Sequence, residues 1–439
     1  MSFFRIRAFA LVLALILAAS GMGAGVAAAL DVPQTQHRVK STDSHLFVHY
    51  RAGHRAVAHA ARPAARAGAT LAASRAATVR QQARTTARGA ARTSARRAAL
   101  ASRRHRFHER FSASSFAKGD IFDGDVTAGE DPVVRQAAID ALGDMNGTAV
   151  VIDPANGRIL AMVNQKLALS PGAEPCSTIK LTVAMAALAE GLVTSETPVK
   201  LAGFRMNMTQ ALAKSNNLYF EEMGRELGFE RVHHYATQFG LGELAGYNIE
   251  GEQLGVYPDQ ELPAAEGGVG RMCSFGQGVS LTPLQLGAFV AAIANGGTLY
   301  YLQHPTTAAE VAALEPKVKR TLDIARYVPD ISDGMAGAVQ YGTARRLRAN
   351  FNELPVFGKT GTCSDKGTRF GWFASYSDSP QGSLVTVFFL EGGRPTFGPR
   401  AAELTGEFYK NLWDRNWFAS KGQQDSASLA PASSQQARP

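Results

Sequence analysis

Cysteine is scarce: the 439-residue chain has three, Cys176, Cys273 and Cys363. Three are too few for a disulfide framework, and an odd count leaves at least one thiol unpaired within a monomer. Charge is also thin, at 19% of residues, and lysine is missing altogether between Arg51 and Arg110. No segment after Leu30 has the length and apolarity of a membrane span. From about Arg51 to Ala101 large apolar residues are almost absent, which excludes a packed core there, because so little burial cannot offset chain entropy.

What is present is uneven. Arg5 and Arg7 precede an apolar run from Ala8 to Ala19, and small residues follow through Ala27-Ala28-Ala29. This is the pattern of an export signal with an A-x-A-like cleavage site. The uncharged stretch continues to Leu30, so residues 1–30 read equally as a cleaved signal or as a retained anchor. Either way the remainder is expected outside the cytoplasm, in the periplasm or on the outer face of the cytoplasmic membrane. Residues 31–115 are expected to be an Ala/Arg-rich, low-complexity basic arm. Between Arg51 and Arg110 fifteen Arg and one acid (Glu109) carry a net +14, so the rest of the chain, against a total of +9, carries about −5.

Arg80, Arg84, Arg88, Arg92 and Arg96 recur every four residues, one basic stripe if the segment is helical. The plain reading is a solvated, partly helical spacer. The sharper one is an arm for anionic lipid headgroups or anionic envelope polymer. Export removes nucleic acid as a partner. Seven of the ten His also precede Phe111, with no rigid frame to make them a metal site.

Ordered sequence is expected from Phe116 to about residue 420, with a Ser/Gln/Ala-rich disordered tail at 421–439. Gly147–Val163 alternates around Asp153-Pro154-Ala155-Asn156-Gly157 and predicts a hairpin. A helix follows Ser177, and a mostly helical middle runs from about Thr209 to Ala294. Leu354–Cys363, Arg369–Tyr376 and Ser383–Gly393 have strand length and composition. Ala401, Leu404, Phe408 and Leu412 stripe a final helix. The fold class is therefore α/β (α+β): a largely antiparallel sheet flanked by helices, with an inserted all-helical lobe.

Chemistry starts at Glu174–Gly191, "EPCSTIKLTVAMAALAEG", where Ser177 and Lys180 stand three apart at the start of an apolar helix. They share nearly one helical face. A serine hydroxyl is a poor nucleophile until a base takes its proton. Lysine can be that base only when neutral, and at its ordinary pKa only about 0.04% is neutral at pH 7. Burial and a second cation push in the needed direction. Ser115-Phe-Ala-Lys118 repeats the pattern with no helix behind it and reads as chance.

Two further pieces matter. Ser215-Asn216-Asn217 lies between helical segments, and Lys359-Thr360-Gly361-Thr362 lies within a strand. A glycine inside a strand often marks close approach of another backbone or a ligand, which fits an edge that binds an extended peptide.

In the order S-x-x-K, S-x-N, K-T-G, the three motifs resemble those of the penicillin-recognising serine enzymes. The likeness covers about Phe116 to Ser420 and is strongest to the transpeptidase domain of penicillin-binding proteins; Phe275–Tyr300 is similar to the family's glycine-rich segment and following helix. The resemblance implies a transpeptidase/β-lactamase-like fold and an acyl-enzyme on Ser177, formed from D-Ala-D-Ala stem peptides of peptidoglycan or from β-lactams. It implies Lys180 as base, Ser215 as proton relay, and Asn217 as a holder of the substrate amide and of Lys180. Lys359, Thr360 and Gly361 would serve substrate binding, with Thr362 lining the cleft. The backbone N–H groups of Ser177 and Thr362 would form the oxyanion hole. No metal or organic cofactor is expected.

About 85 residues separate the signal from the catalytic segment, so neither a glycosyltransferase nor a full pedestal domain is expected. A D,D-transpeptidase or D,D-carboxypeptidase leads, ahead of a serine β-lactamase and a non-catalytic β-lactam sensor. Cys176 and Cys363 flank two motifs directly. They are read as small buried side chains, with a disulfide or redox-sensitive pair as the alternative.

Overall fold

The computed structural model describes residues 111–379 and 382–421. The readings of the signal, most of the basic arm and the tail from 422 onward lie outside the described residues. Among the described residues no helix is long and apolar enough to cross a membrane.

Asp131 opens the first helix of the described residues, α1 (Pro132–Leu142), by accepting the N–H groups of Val133 and Val134, with proline at the first position. The expected hairpin follows as β1 (Gly147–Ile152) and β2 (Ile159–Val163), paired antiparallel, then the short α2 (Gln165–Ala168). A 3₁₀ turn, Cys176–Ile179, runs directly into α3 (Lys180–Ala189). A small ribbon, β3 (Val199–Leu201) and β4 (Phe204–Met206), precedes α4 (Met208–Lys214), α5 (Asn217–Leu227) and α6 (Phe229–Gln238).

The expected helical middle then breaks. Residues 239–267 hold no α-helix, because Gly240, Gly242 and Gly251 take left-handed φ values of 87°, 79° and 79° and Pro258 and Pro263 interrupt what remains. Helices resume as α7 (Gly268–Phe275) and α8 (Pro283–Ala294), the latter opened by a capping box of Thr282 and Gln285. A second ribbon, β5 (Thr298–Tyr300) with β6 (Val318–Thr321), brackets α9 (Ala308–Ala312), and α10 (Val328–Gln340) leads to the main strands. These are β7 (Val356–Asp365), β8 (Thr368–Ser377) and β9 (Leu384–Gly392), followed by α11 (Gly398–Asp414).

The five long strands form one antiparallel sheet in the order β2-β1-β9-β8-β7. Side chains alternate between its faces. Val150, Ile152, Trp372 and Phe389 pack with the α3, α5 and α8 helices, whereas Val151, Val163, Phe388 and Leu390 pack with α1 and α11. The fold class read from the sequence is the one observed, with two small ribbons added to the helical lobe. Two consequences place the site: β7 is an edge strand, and the Cys176–Ile179 turn packs against it.

Candidate active site

The turn before α3 has an unusual backbone. Cys176 takes φ +53°, a left-handed value that a residue with a Cβ rarely adopts. The chain leaves it into the 3₁₀ turn, and Thr178 fixes the geometry by donating its hydroxyl and its N–H to the Pro175 carbonyl. Ser177 is half-buried on this turn, while Lys180 is fully buried at the head of α3. Lys180 Nζ lies 2.7 Å from Ser177 Oγ.

The second motif is an α–α corner. Ser215 closes α4 with φ +54°, and Asn216 caps α5 by accepting the Tyr219 N–H. The corner turns Ser215 and Asn217 to the same side. Lys180 Nζ donates to Asn217 Oδ1 at 2.7 Å and sits 3.4 Å from both the carbonyl and the hydroxyl oxygen of Ser215. From β7, Lys359 Nζ donates to Ser215 Oγ at 2.8 Å and to the Thr360 carbonyl at 3.0 Å. Three segments distant in sequence thus form one network: Ser177, Lys180, Asn217, Ser215 and Lys359.

Both amines are fully shielded from solvent. Burial, then the charge of Lys359, pushes Lys180 well below the ordinary lysine range, with Glu221 opposing. Burial alone brings Lys359 down to about 7. A neutral Lys180 presents a lone pair to the Ser177 hydroxyl, which then donates to it.

The remaining candidates on β7 stand beside the network without joining it through their side chains. Thr360 and Thr343 hydroxyls are 2.6 Å apart, and Thr362 Oγ1 accepts the Gly398 N–H at the start of α11 at 2.8 Å. The Thr362 side chain thus ties β7 to the start of α11. At Gly361 a Cβ would stand 2.8 Å from the Pro175 carbonyl oxygen. The close approach signalled by this glycine is another backbone, the turn ahead of Ser177.

One reading is overturned. Cys176 and Cys363 are a disulfide, with Cα atoms 5.5 Å apart across 187 residues of sequence, not unpaired small side chains. Residues 359, 361 and 363 share one face of β7, the face that meets the Cys176 turn, so the thiols meet as the motifs do. Cys273 is the free cysteine, buried in α7, and burial pushes its thiol pKa up.

Sequence reasoning missed Thr343, which joins two motifs: its N–H donates to the Ala213 carbonyl on α4 and its hydroxyl meets Thr360. The available signal was Gly342, where a Cβ would fall 2.0 Å from the Ala213 carbonyl oxygen. It missed Glu174, whose carbonyl accepts the Trp372 indole N–H at 3.0 Å and whose carboxyl pKa is raised by burial and by Asp365. Nothing local marks that residue. Among the described residues no group of three or more His, Cys, Asp or Glu is placed to hold a metal ion.

A half-buried serine hydroxyl, a desolvated amine and a second buried amine thus meet beside an edge strand, with all three sequence motifs in one place. The model of the penicillin-binding protein transpeptidase domain matches residues 147–410, and the chain belongs to that family. It is 27% identical to stage V sporulation protein D of Bacillus subtilis over 60% of this chain and 48% of that protein. It is 25% identical to the peptidoglycan D,D-transpeptidase MrdA of Acinetobacter baumannii over 62% and 51%. The chain thus spans about half the length of these two relatives. Among solved structures it is similar in fold to Pseudomonas aeruginosa PBP2 in complex with WCK 5153, with a TM-score of 0.55 and 22% identity over 66% of this chain and 78% of that one. The D,D-transpeptidase domain of an Eggerthella lenta peptidoglycan glycosyltransferase gives 0.51 and 19% over 65% and 82%.

Proposed function

We propose that this chain is a peptidoglycan D,D-transpeptidase working through an acyl-enzyme on Ser177, and that β-lactams acylate the same oxygen. The observation that carries the reading is a fully buried Lys180 amine 2.7 Å from both Ser177 Oγ and Asn217 Oδ1. Burial and Lys359 favour the neutral amine that a general base requires.

Lys180 takes the proton as Ser177 Oγ attacks the carbonyl of a terminal D-Ala-D-Ala bond. The N–H groups of Ser177 and Thr362 receive the developing oxyanion, each worth roughly 10²–10³ in rate. Ser215, which accepts from Lys359 and lies 3.4 Å from Lys180, passes a proton to the departing amine. Asn217 holds Lys180 and the substrate amide. Thr360, held by Thr343, and the edge of β7 align the donor peptide as an added strand. An acceptor amine then attacks the ester through the same groups in reverse, and water in its place would make the reaction a carboxypeptidase one. The disulfide agrees with an oxidising compartment and so with an exported enzyme.

The test is intact-mass spectrometry of the full-length chain with benzylpenicillin, beside Ser177→Ala. A persistent adduct in the wild type, absent from the variant, supports the reading. Rapid turnover to penicilloic acid replaces it with a β-lactamase, and folded protein with no adduct replaces it with a binding module.

A further inference from the structure

The cross-link falls one residue from each oxyanion donor assigned above. Cys176 immediately precedes Ser177, and Cys363 immediately follows Thr362. Cys176 also holds the left-handed φ of +53° that a side chain disfavours. Such a backbone persists only where its surroundings over-determine it.

The surroundings here are specific. The Pro175 ring lies under Gly276, where a Cβ would approach its Cγ to 2.5 Å, and the Pro175 carbonyl lies over Gly361. The Glu174 carbonyl is tied to the Trp372 indole. These contacts locate residues 174–175, the two Thr178 bonds to the Pro175 carbonyl close the turn, and the bond to Cys363 ties Cys176 itself to β7. The Ser177–Lys180 pair is different, because its lysine is anchored at the buried start of α3 and to Asn217. The cross-link therefore bears on the backbone amides more than on the nucleophile and its base.

We propose that the Cys176–Cys363 disulfide is a positioning pair for acylation: it keeps Cys176 in its left-handed conformation against β7 and so sets the approach of the Ser177 and Thr362 amides. This rests on the acyl-enzyme reading. Without the bond, a residue with a side chain at 176 relaxes towards an ordinary φ and turns the Ser177 amide away. The loss falls on the limiting acylation rate, since amides aimed at a developing oxyanion act in the transition state.

Glycine separates this from simple cross-linking, because it takes positive φ without a steric penalty. The experiment compares full-length wild type, Cys176→Ala/Cys363→Ala and Cys176→Gly/Cys363→Ala. For each, the limiting acylation rate and the preceding dissociation constant for a chromogenic cephalosporin are measured below the thermal midpoint. The alanine pair is expected to acylate about 10–10²-fold more slowly at nearly unchanged dissociation constant. The glycine pair is expected to recover most of that loss, although both lose thermal stability alike. A glycine pair no faster than the alanine pair, a loss confined to the dissociation constant, or wild-type rates in both would each overturn the proposal. If the alanine pair does not fold, wild-type chain reduced by a dithiol and still native by circular dichroism replaces it, and an unchanged acylation rate there overturns the proposal. A wild-type chain that is never acylated overturns the acyl-enzyme reading, and this inference with it.

Discussion

The chain carries Ser-x-x-Lys twice, and the two copies bury opposite ends. In Ser177–Lys180 the lysine is fully enclosed and the serine faces partly outward. In Ser115–Lys118 the serine is buried and the lysine stands in solvent. Ser115 Oγ accepts the Gly393 N–H at 2.8 Å and the Thr396 hydroxyl at 2.9 Å, packing the start of the described chain over the end of β9. The same four-residue pattern is a seam in one place and, in the function proposed above, a nucleophile with its base in the other. A pattern acquires chemistry only when the fold removes water from the amine and leaves the hydroxyl accessible.

Exchanging the serines breaks this comparison most sharply. Ser177→Ala is expected to abolish the β-lactam adduct at unchanged thermal midpoint, as intact mass and calorimetry would show. Ser115→Ala should keep the adduct and lose about 1–3 kcal/mol of stability, since two buried donors lose their acceptor. The lysines come next. Lys180→Met should slow acylation by roughly 10²–10⁴-fold, while Lys118→Met changes neither rate nor stability in stopped-flow and melting assays.

A third prediction concerns Lys359. Its folded pKa is lowered from 10.5 to about 7, so between those values the unfolded chain holds more protons and stability rises with pH. Urea titrations should show wild type gaining stability over that window, and Lys359→Met losing the share that Lys359 contributes while the share of the buried Lys180 remains. An equal slope in both would contradict the burial of this amine. The smallest effect is expected at Thr343. Thr343→Val removes one hydroxyl bond to Thr360 and should cost about 1 kcal/mol, roughly fivefold in acylation rate, with Thr343→Ser near wild type.

Much of this site was legible because its chemistry is carried by residue types in local patterns. Ser177 and Lys180 are one helical turn apart, and Gly361 reported a close approach in the middle of a strand. What stayed hidden depends on tertiary placement. Whether Cys176 and Cys363 pair turns on β7 facing the 176 turn, which no local sequence specifies. Thr343 looks like any loop threonine until α4 and β7 converge on it. The hairpin and the last helix followed from periodicity, and the three long strands from their length and β-rich composition. The gap at 239–267 was obscured because hydrophobic residues continue through it while glycines take the backbone out of the helical region.

In the proposed mechanism Lys180 works as a neutral base because it is buried and faces Lys359. The most direct measurement is the pH dependence of the β-lactam acylation rate across about pH 5–9 for wild type and Lys359→Met. The rate is expected to rise as Lys180 loses its proton, with the rise already under way well below the ordinary lysine range. Removing Lys359 removes one of the causes that hold Lys180 low, so its pKa climbs and the rise moves to higher pH in the variant. A profile flat across the range, or one that Lys359→Met leaves in place, would contradict it.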